Sequence, residues 1–133
     1  MRAVDTNVLA RFYLHDDVAQ ARVAAGILSA GDVFVAKTVM LELEWVLRYV
    51  AEQPTTNVID CLAHLLGLPG ITVEDRETIE TALSHCQKGL DFADALHLAA
   101  SESCSELLTF DDRGFARRAG KLGLKPPVRI PAG

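Results

Sequence analysis

The sequence predicts an α/β fold of three layers, with a central, mainly parallel sheet of about four to five short strands and helices on both faces. Short apolar stretches recur between segments long enough to be helices: Val33-Phe34-Val35, Ile71-Thr72-Val73, Leu107-Leu108 and Val128-Arg129-Ile130. Glycine or proline punctuates several junctions, at Gly31, Pro54, Gly70 and Gly89. Acids also follow strand signals directly. Ala3-Val4 runs into Asp5, and Leu107-Leu108-Thr109-Phe110 into Asp111 and Asp112. In open α/β sheets ligands sit outside the carboxyl ends of the strands, so these positions invite a functional reading.

Taken in order, Ala3-Val4 is the first strand, and Thr6 and Asn7 are candidate N-caps for a helix running to Leu14. Asp5 could equally do no more than open that turn. A second helix spans about Asp17 to Ala30, capped by Asp16 or Asp17 and stopped by Gly31. After the strand within 32–36, Thr38 caps a long helix to about Glu52, and Pro54 opens another through about Leu68. These two helices predict a hairpin projecting from the sheet. Ile71–Val73 is the third strand, Asp75 caps a helix to about Lys88, and a further helix covers about Asp91 to Ser103. A strand over 106–110, a short basic helix over 113–121 and an edge-like strand at 128–130 between Pro127 and Pro131 complete the chain.

A chain of 133 residues reads as one domain, residues 1–133, able to bury a real core. No apolar run approaches a membrane span, and the start does not read as a signal peptide, so a cytoplasmic location without membrane association is expected. Cys61, Cys86 and Cys104 have no metal-ligand spacing and are expected as small buried hydrophobes in a reducing compartment. The net charge of −5 argues against holding nucleic acid by bulk electrostatics. Basic residues nevertheless crowd the last fifth of the chain. There Arg113, Arg117, Arg118, Lys121, Lys125 and Arg129 are either a solvated helix face or a phosphate-contacting stripe.

Several acids are not obvious from the fold. Glu44 precedes Arg48 by four residues, which suits an exposed helical ion pair. Glu42, between Val39, Met40, Leu41 and Leu43, is expected on an apolar side where a carboxylate is costly unless a charge meets it. Asp91 reads as an N-cap, while Asp94, three residues on, is flanked by residues that look buried; His97 on the same alanine-rich helix reads as a core histidine. Asp5, Glu42, Asp94 and Asp111 can converge on one edge of a parallel sheet. Four carboxylates so placed repel unless cations are present, and an all-oxygen set suits Mg2+ or Mn2+.

The runs Val-Asp-Thr-Asn-Val-Leu (4–9), Leu-Glu-Leu-Glu-Trp-Val-Leu (41–47), Asp-Phe-Ala-Asp-Ala-Leu-His-Leu-Ala (91–99) and Leu-Leu-Thr-Phe-Asp (107–111) together resemble PIN-domain nucleases, in particular the VapC-type toxins of bacterial toxin–antitoxin pairs. Each block is weak alone; the ordered set covers essentially the whole chain. The resemblance implies a PIN fold, Mg2+- or Mn2+-dependent cleavage of single-stranded RNA, a homodimer, and a small antitoxin partner that blocks the site. It implies Asp5, Glu42, Asp94 and Asp111 as catalytic, metal-holding acids, with Asp91 and Asp112 as further possibilities. Thr6, Asn7 and Thr109 would support them by hydrogen bonding, and Arg113, Arg117 and Arg118 would contact RNA. One departure stands out: many relatives carry an acid before the last block's phenylalanine, where this chain has Gly114 before Phe115. The fourth acid is therefore Asp111 or Asp112. Asp111 is favoured by its spacing from Thr109, with Asp112 read as the cap of the next helix. The rival reading is a non-catalytic PIN-like module that binds RNA or a partner.

Overall fold

Val33 and Val35 on strand β2 (Val33–Val35) are fully buried, as expected of a central strand with a neighbour on each side. The computed structural model, which describes residues 1–132, pairs β2 in parallel with β1 (Arg2–Ala3) and with β3 (Ile71–Val73), in the order β1-β2-β3. Helices α1 (Thr6–Leu14) and α2 (Val18–Ala30) connect β1 to β2; α3 (Lys37–Trp45) and α4 (Thr55–Gly67) connect β2 to β3. This is the first of two compact units, Met1–Arg76. Among its fully buried side chains are Leu9, Met40, Leu43, Leu47, Leu62 and Leu65. Each contributes about 1.5–3 kcal/mol relative to exposure.

The second unit begins at Glu77. It carries α5 (Arg76–Gln87), α6 (Phe92–Ala100), α7 (Arg117–Lys121) and a parallel ladder of β4 (Leu107–Leu108) with β5 (Val128–Arg129). Phe92, Ala95 and Leu98 of α6 are buried together with Ile79 of α5. The expected mixed α/β architecture with parallel strands is therefore present, its five short strands forming a ladder of three and a ladder of two among the described residues. No helix among these residues is long and apolar enough to cross a membrane.

Several local expectations change. Thr38 does not cap α3. The cap position is Ala36, which has no side chain for the purpose, and the Lys37 N–H donates to the Glu74 carboxylate at 2.8 Å. A residue brought in by strand pairing has taken the cap's place, and the Lys37–Asp75 ion pair at 2.6 Å fastens the same corner. The long helix ends at Trp45 and continues as a π-type turn, Val46–Val50. A second π-type turn, Asp112–Ala116, opens the basic helix. None of the three cysteines is fully buried, Cys104 being exposed; they are not the core residues expected of them.

Candidate active site

Asp5 lies two residues beyond the first strand and is itself the N-cap of α1: its Oδ1 accepts from the Thr6 N–H at 2.7 Å. Thr6 is the first helical residue, not the cap, and the exposed Asn7 follows it. Capping does not exhaust Asp5, because an ionised carboxylate has about four acceptor sites. A cleft of about 210 Å3 opens at this point, lined by Asp5, Thr6, Asn7, Arg11, Glu42 and Val46. The start of α1 and the middle of α3 thus bring Asp5 and Glu42 to one small depression. Within it Thr6 is 4% exposed, and its Oγ1 has no hydrogen-bond partner. A buried hydroxyl without a partner calls for an explanation, such as a ligand that is not in view.

The structure reverses the burial expected of the two glutamates. Glu44 is the buried one, its side chain 5% exposed and held by Arg48 at 2.9 Å, whereas Glu42 is exposed. The reason is helical phase. Met40, Leu43 and Leu47 make the buried stripe, and Glu44, four after Met40, falls on it. The apolar neighbours flanking Glu42 in sequence point elsewhere, since successive helical residues do not share a face. Glu42 belongs beside Asp5 for a different reason from the one the sequence offered.

In the second unit Asp91 caps α6, accepting from the Asp94 N–H at 3.3 Å, as expected. Asp94 is half-buried. Burial raises its carboxyl above the ordinary carboxylate range, the nearby Asp91 and Asp111 carboxylates raise it further, and His97 and Arg118 act the other way. His97 is exposed, not a core histidine. Asp111, not Asp112, is the N-cap of the following turn: its Oδ1 accepts from the Gly114 N–H at 2.9 Å. Its own N–H donates to Thr109 Oγ1 at 3.1 Å. Asp112 lies within the turn and is exposed. Gly114 matters here, because a Cβ at that position would sit 2.7 Å and 2.8 Å from the two Asp111 carboxylate oxygens. The departure at residue 114 is thus the space into which the Asp111 carboxylate folds.

A match to the PIN domain family extends over residues 2–121. This chain belongs to the PIN-domain family. PIN domains are in general nucleases, so the chain has a nuclease-type function, and the family typically uses divalent metals. Comparison with curated proteins finds no significant match. Among the described residues of this PIN domain, no three His, Cys, Asp or Glu side chains form one ligating group. The donor chemistry of the acids nevertheless fits a hard cation: all are oxygen ligands, two of them are aimed by backbone N–H groups, and one crowded carboxyl is raised by its like-charged neighbours.

Arg113, Arg117 and Arg118 are exposed. Sequence reasoning missed Arg11, which reaches the Asp5 cleft while donating to Gln20 at 2.7 Å and Asp16 at 2.9 Å. Its position four residues after Asn7 on α1 was the available signal. It also missed Trp45 and Tyr49, both more than half exposed just beyond Glu42, with the Arg48 guanidinium 4.5 Å from the Tyr49 ring centre.

Proposed function

We propose that this PIN domain is a Mg2+-dependent endoribonuclease (Mn2+ being an alternative ion) that cleaves single-stranded RNA in the cytoplasm. We assign it as the toxin of a toxin–antitoxin pair, a homodimer inhibited by a small antitoxin protein. The observation that carries the nuclease reading is the cleft on which Asp5 and Glu42, remote in sequence, meet beside the unpartnered Thr6 hydroxyl. The toxin and antitoxin part rests on the resemblance of the four sequence blocks to VapC-type proteins.

In this reading Asp5 and Glu42 in the first unit and Asp94 and Asp111 in the second are the acids that hold one or two ions, with Asp91 and Asp112 as further carboxylates. When bound, a divalent ion makes water a better nucleophile at neutral pH and stabilises the charge that develops on the phosphoryl group. The protein's own share is orientation. The Thr6 N–H aims Asp5; Thr109 and the Gly114 N–H fix Asp111 from two sides. The exposed Asn7 lines the same cleft. Arg113, Arg117 and Arg118 hold the RNA backbone. Exposed Trp45 and Tyr49 offer faces for unpaired bases, which supports a single-stranded substrate.

Incubating mixed single-stranded RNA with the protein, with Mg2+ and with EDTA, tests this reading. Internal cleavage with Mg2+, abolished by EDTA and by Asp5→Asn, is expected. Tight RNA binding without cleavage under any metal would establish the non-catalytic module instead.

A further inference from the structure

A depression of about 260 Å3 in the second unit is lined by Lys88, Gly89, Arg118, Lys121 and Leu122. Three cations therefore face one small space in a protein whose net charge is −5. None of them forms an ion pair with a carboxylate among the described residues. The turn that presents Lys88 is fixed. The Gly89 N–H donates to the Cys86 carbonyl and the Leu90 N–H to the His85 carbonyl, closing α5. Gly89 has φ +111°, which glycine alone adopts readily, and the next residue, Leu90, is buried. Cations near helix C-termini are partly explained by the helix dipole. That effect does not need three of them lining a common depression.

We infer that Lys88, Arg118 and Lys121 form a pocket for one backbone phosphate of the single-stranded RNA, separate from the phosphate that is cut. This rests on the nuclease reading above. Arg118 links the pocket to the acids, since it also acts electrostatically on Asp94. A repulsive overall charge makes such a local anchor useful, because attraction must be concentrated where the strand runs.

The test is binding of a fluorescent single-stranded RNA dodecamer in EDTA, so that nothing is cut, across a range of salt. One lost phosphate contact should make the slope of log K against log salt shallower by about 0.7, an affinity loss of about fivefold at 0.1 M salt. Lys88→Ala with Lys121→Ala should show this loss with an unchanged melting temperature. Lys88→Arg with Lys121→Arg should restore binding, and Lys125→Ala, which removes a charge outside the pocket, should show a smaller loss. If the wild type does not bind RNA, the nuclease reading fails. If the wild type binds and the double alanine variant binds equally well, or Lys125→Ala costs as much, the pocket is overturned. Inorganic phosphate titrated into the wild type should shift the Gly89 and Leu122 amide resonances. No shift also overturns the pocket, and a shift that RNA does not compete away makes it a free-phosphate site.

Discussion

Glu44 gives up nearly all contact with water in exchange for the Arg48 guanidinium, while Glu42, two residues earlier, keeps its hydration. The two acids therefore respond to different variables. Removing the charge of a buried pair leaves its partner poorly compensated, which costs on the order of 3 kcal/mol. Glu44→Gln is expected to lower stability in a urea melt by about that amount. A loss within about 0.5 kcal/mol, typical of surface sites, would contradict the burial. Glu42→Gln should leave the urea midpoint nearly in place and abolish RNA cleavage; full activity would remove Glu42 from the proposed site.

Helix starts are where this chain joins folding to chemistry. Asp5, Asp91 and Asp111 are all N-caps, so the contacts that begin a helix also set the direction of a carboxylate. Asp111 and Gly114 make the consequence measurable. Asparagine caps as well as aspartate, so Asp111→Asn should fold normally and bind Mn2+ weakly by calorimetry. Asp111→Ala loses about 1 kcal/mol of stability in addition, while Asp112→Ala, within the turn, should do neither. Gly114→Ala places its Cβ against the Asp111 carboxylate and should weaken Mn2+ binding roughly tenfold, as displaced supporting groups do. Its stability should fall by up to about 1 kcal/mol, since a displaced carboxylate loosens the cap bond to the residue 114 N–H. Unaltered Mn2+ affinity in Gly114→Ala would show that the carboxylate's position does not matter to the ion.

For the whole molecule, the proposed ion and the solution pH should act on the same equilibrium. Saturation with Mg2+ at about 100 times Kd adds roughly 2.7 kcal/mol. That corresponds to a melting rise of roughly 10 °C in a chain of this size. An unmoved transition with both Mg2+ and Mn2+ would remove the ion from the proposal. Without metal, Asp94 sets a pH dependence of its own. Its folded-state pKa is raised by burial and by Asp91 and Asp111, so the native state holds that proton more tightly than the unfolded chain. The resulting stability is present below the ordinary carboxylate pKa of about 4 and is lost as pH rises through the raised value. Metal-free Asp94→Asn should therefore melt above the wild type at neutral pH, with the gap closing on acidification. A gap that is constant with pH would mean that Asp94 ionises as an ordinary carboxylate.

The order of elements, the parallel strands and the cap Asp91 followed from the sequence alone, because strand period, glycine and proline stops and capping chemistry are local. The structure settled on Asp17 where the sequence left Asp16 or Asp17 as the second helix's cap. The acids proposed for the site, Asp5, Glu42, Asp94 and Asp111, were picked out in the sequence by their place in short motifs. What the local signal could not carry was which side of a helix faces the core and which distant group completes a helix end. Glu44 rather than Glu42 became buried because Met40, Leu43 and Leu47 set the phase of α3 by packing. Glu74 rather than Thr38 caps that helix because strand pairing delivers it there. Asp111 rather than Asp112 caps its turn because the Gly114 N–H and the space beside it accept one carboxylate and not the other. The basic pocket joins the turn after α5 to the end of α7, segments that the sequence keeps far apart and that only tertiary packing brings around one cavity.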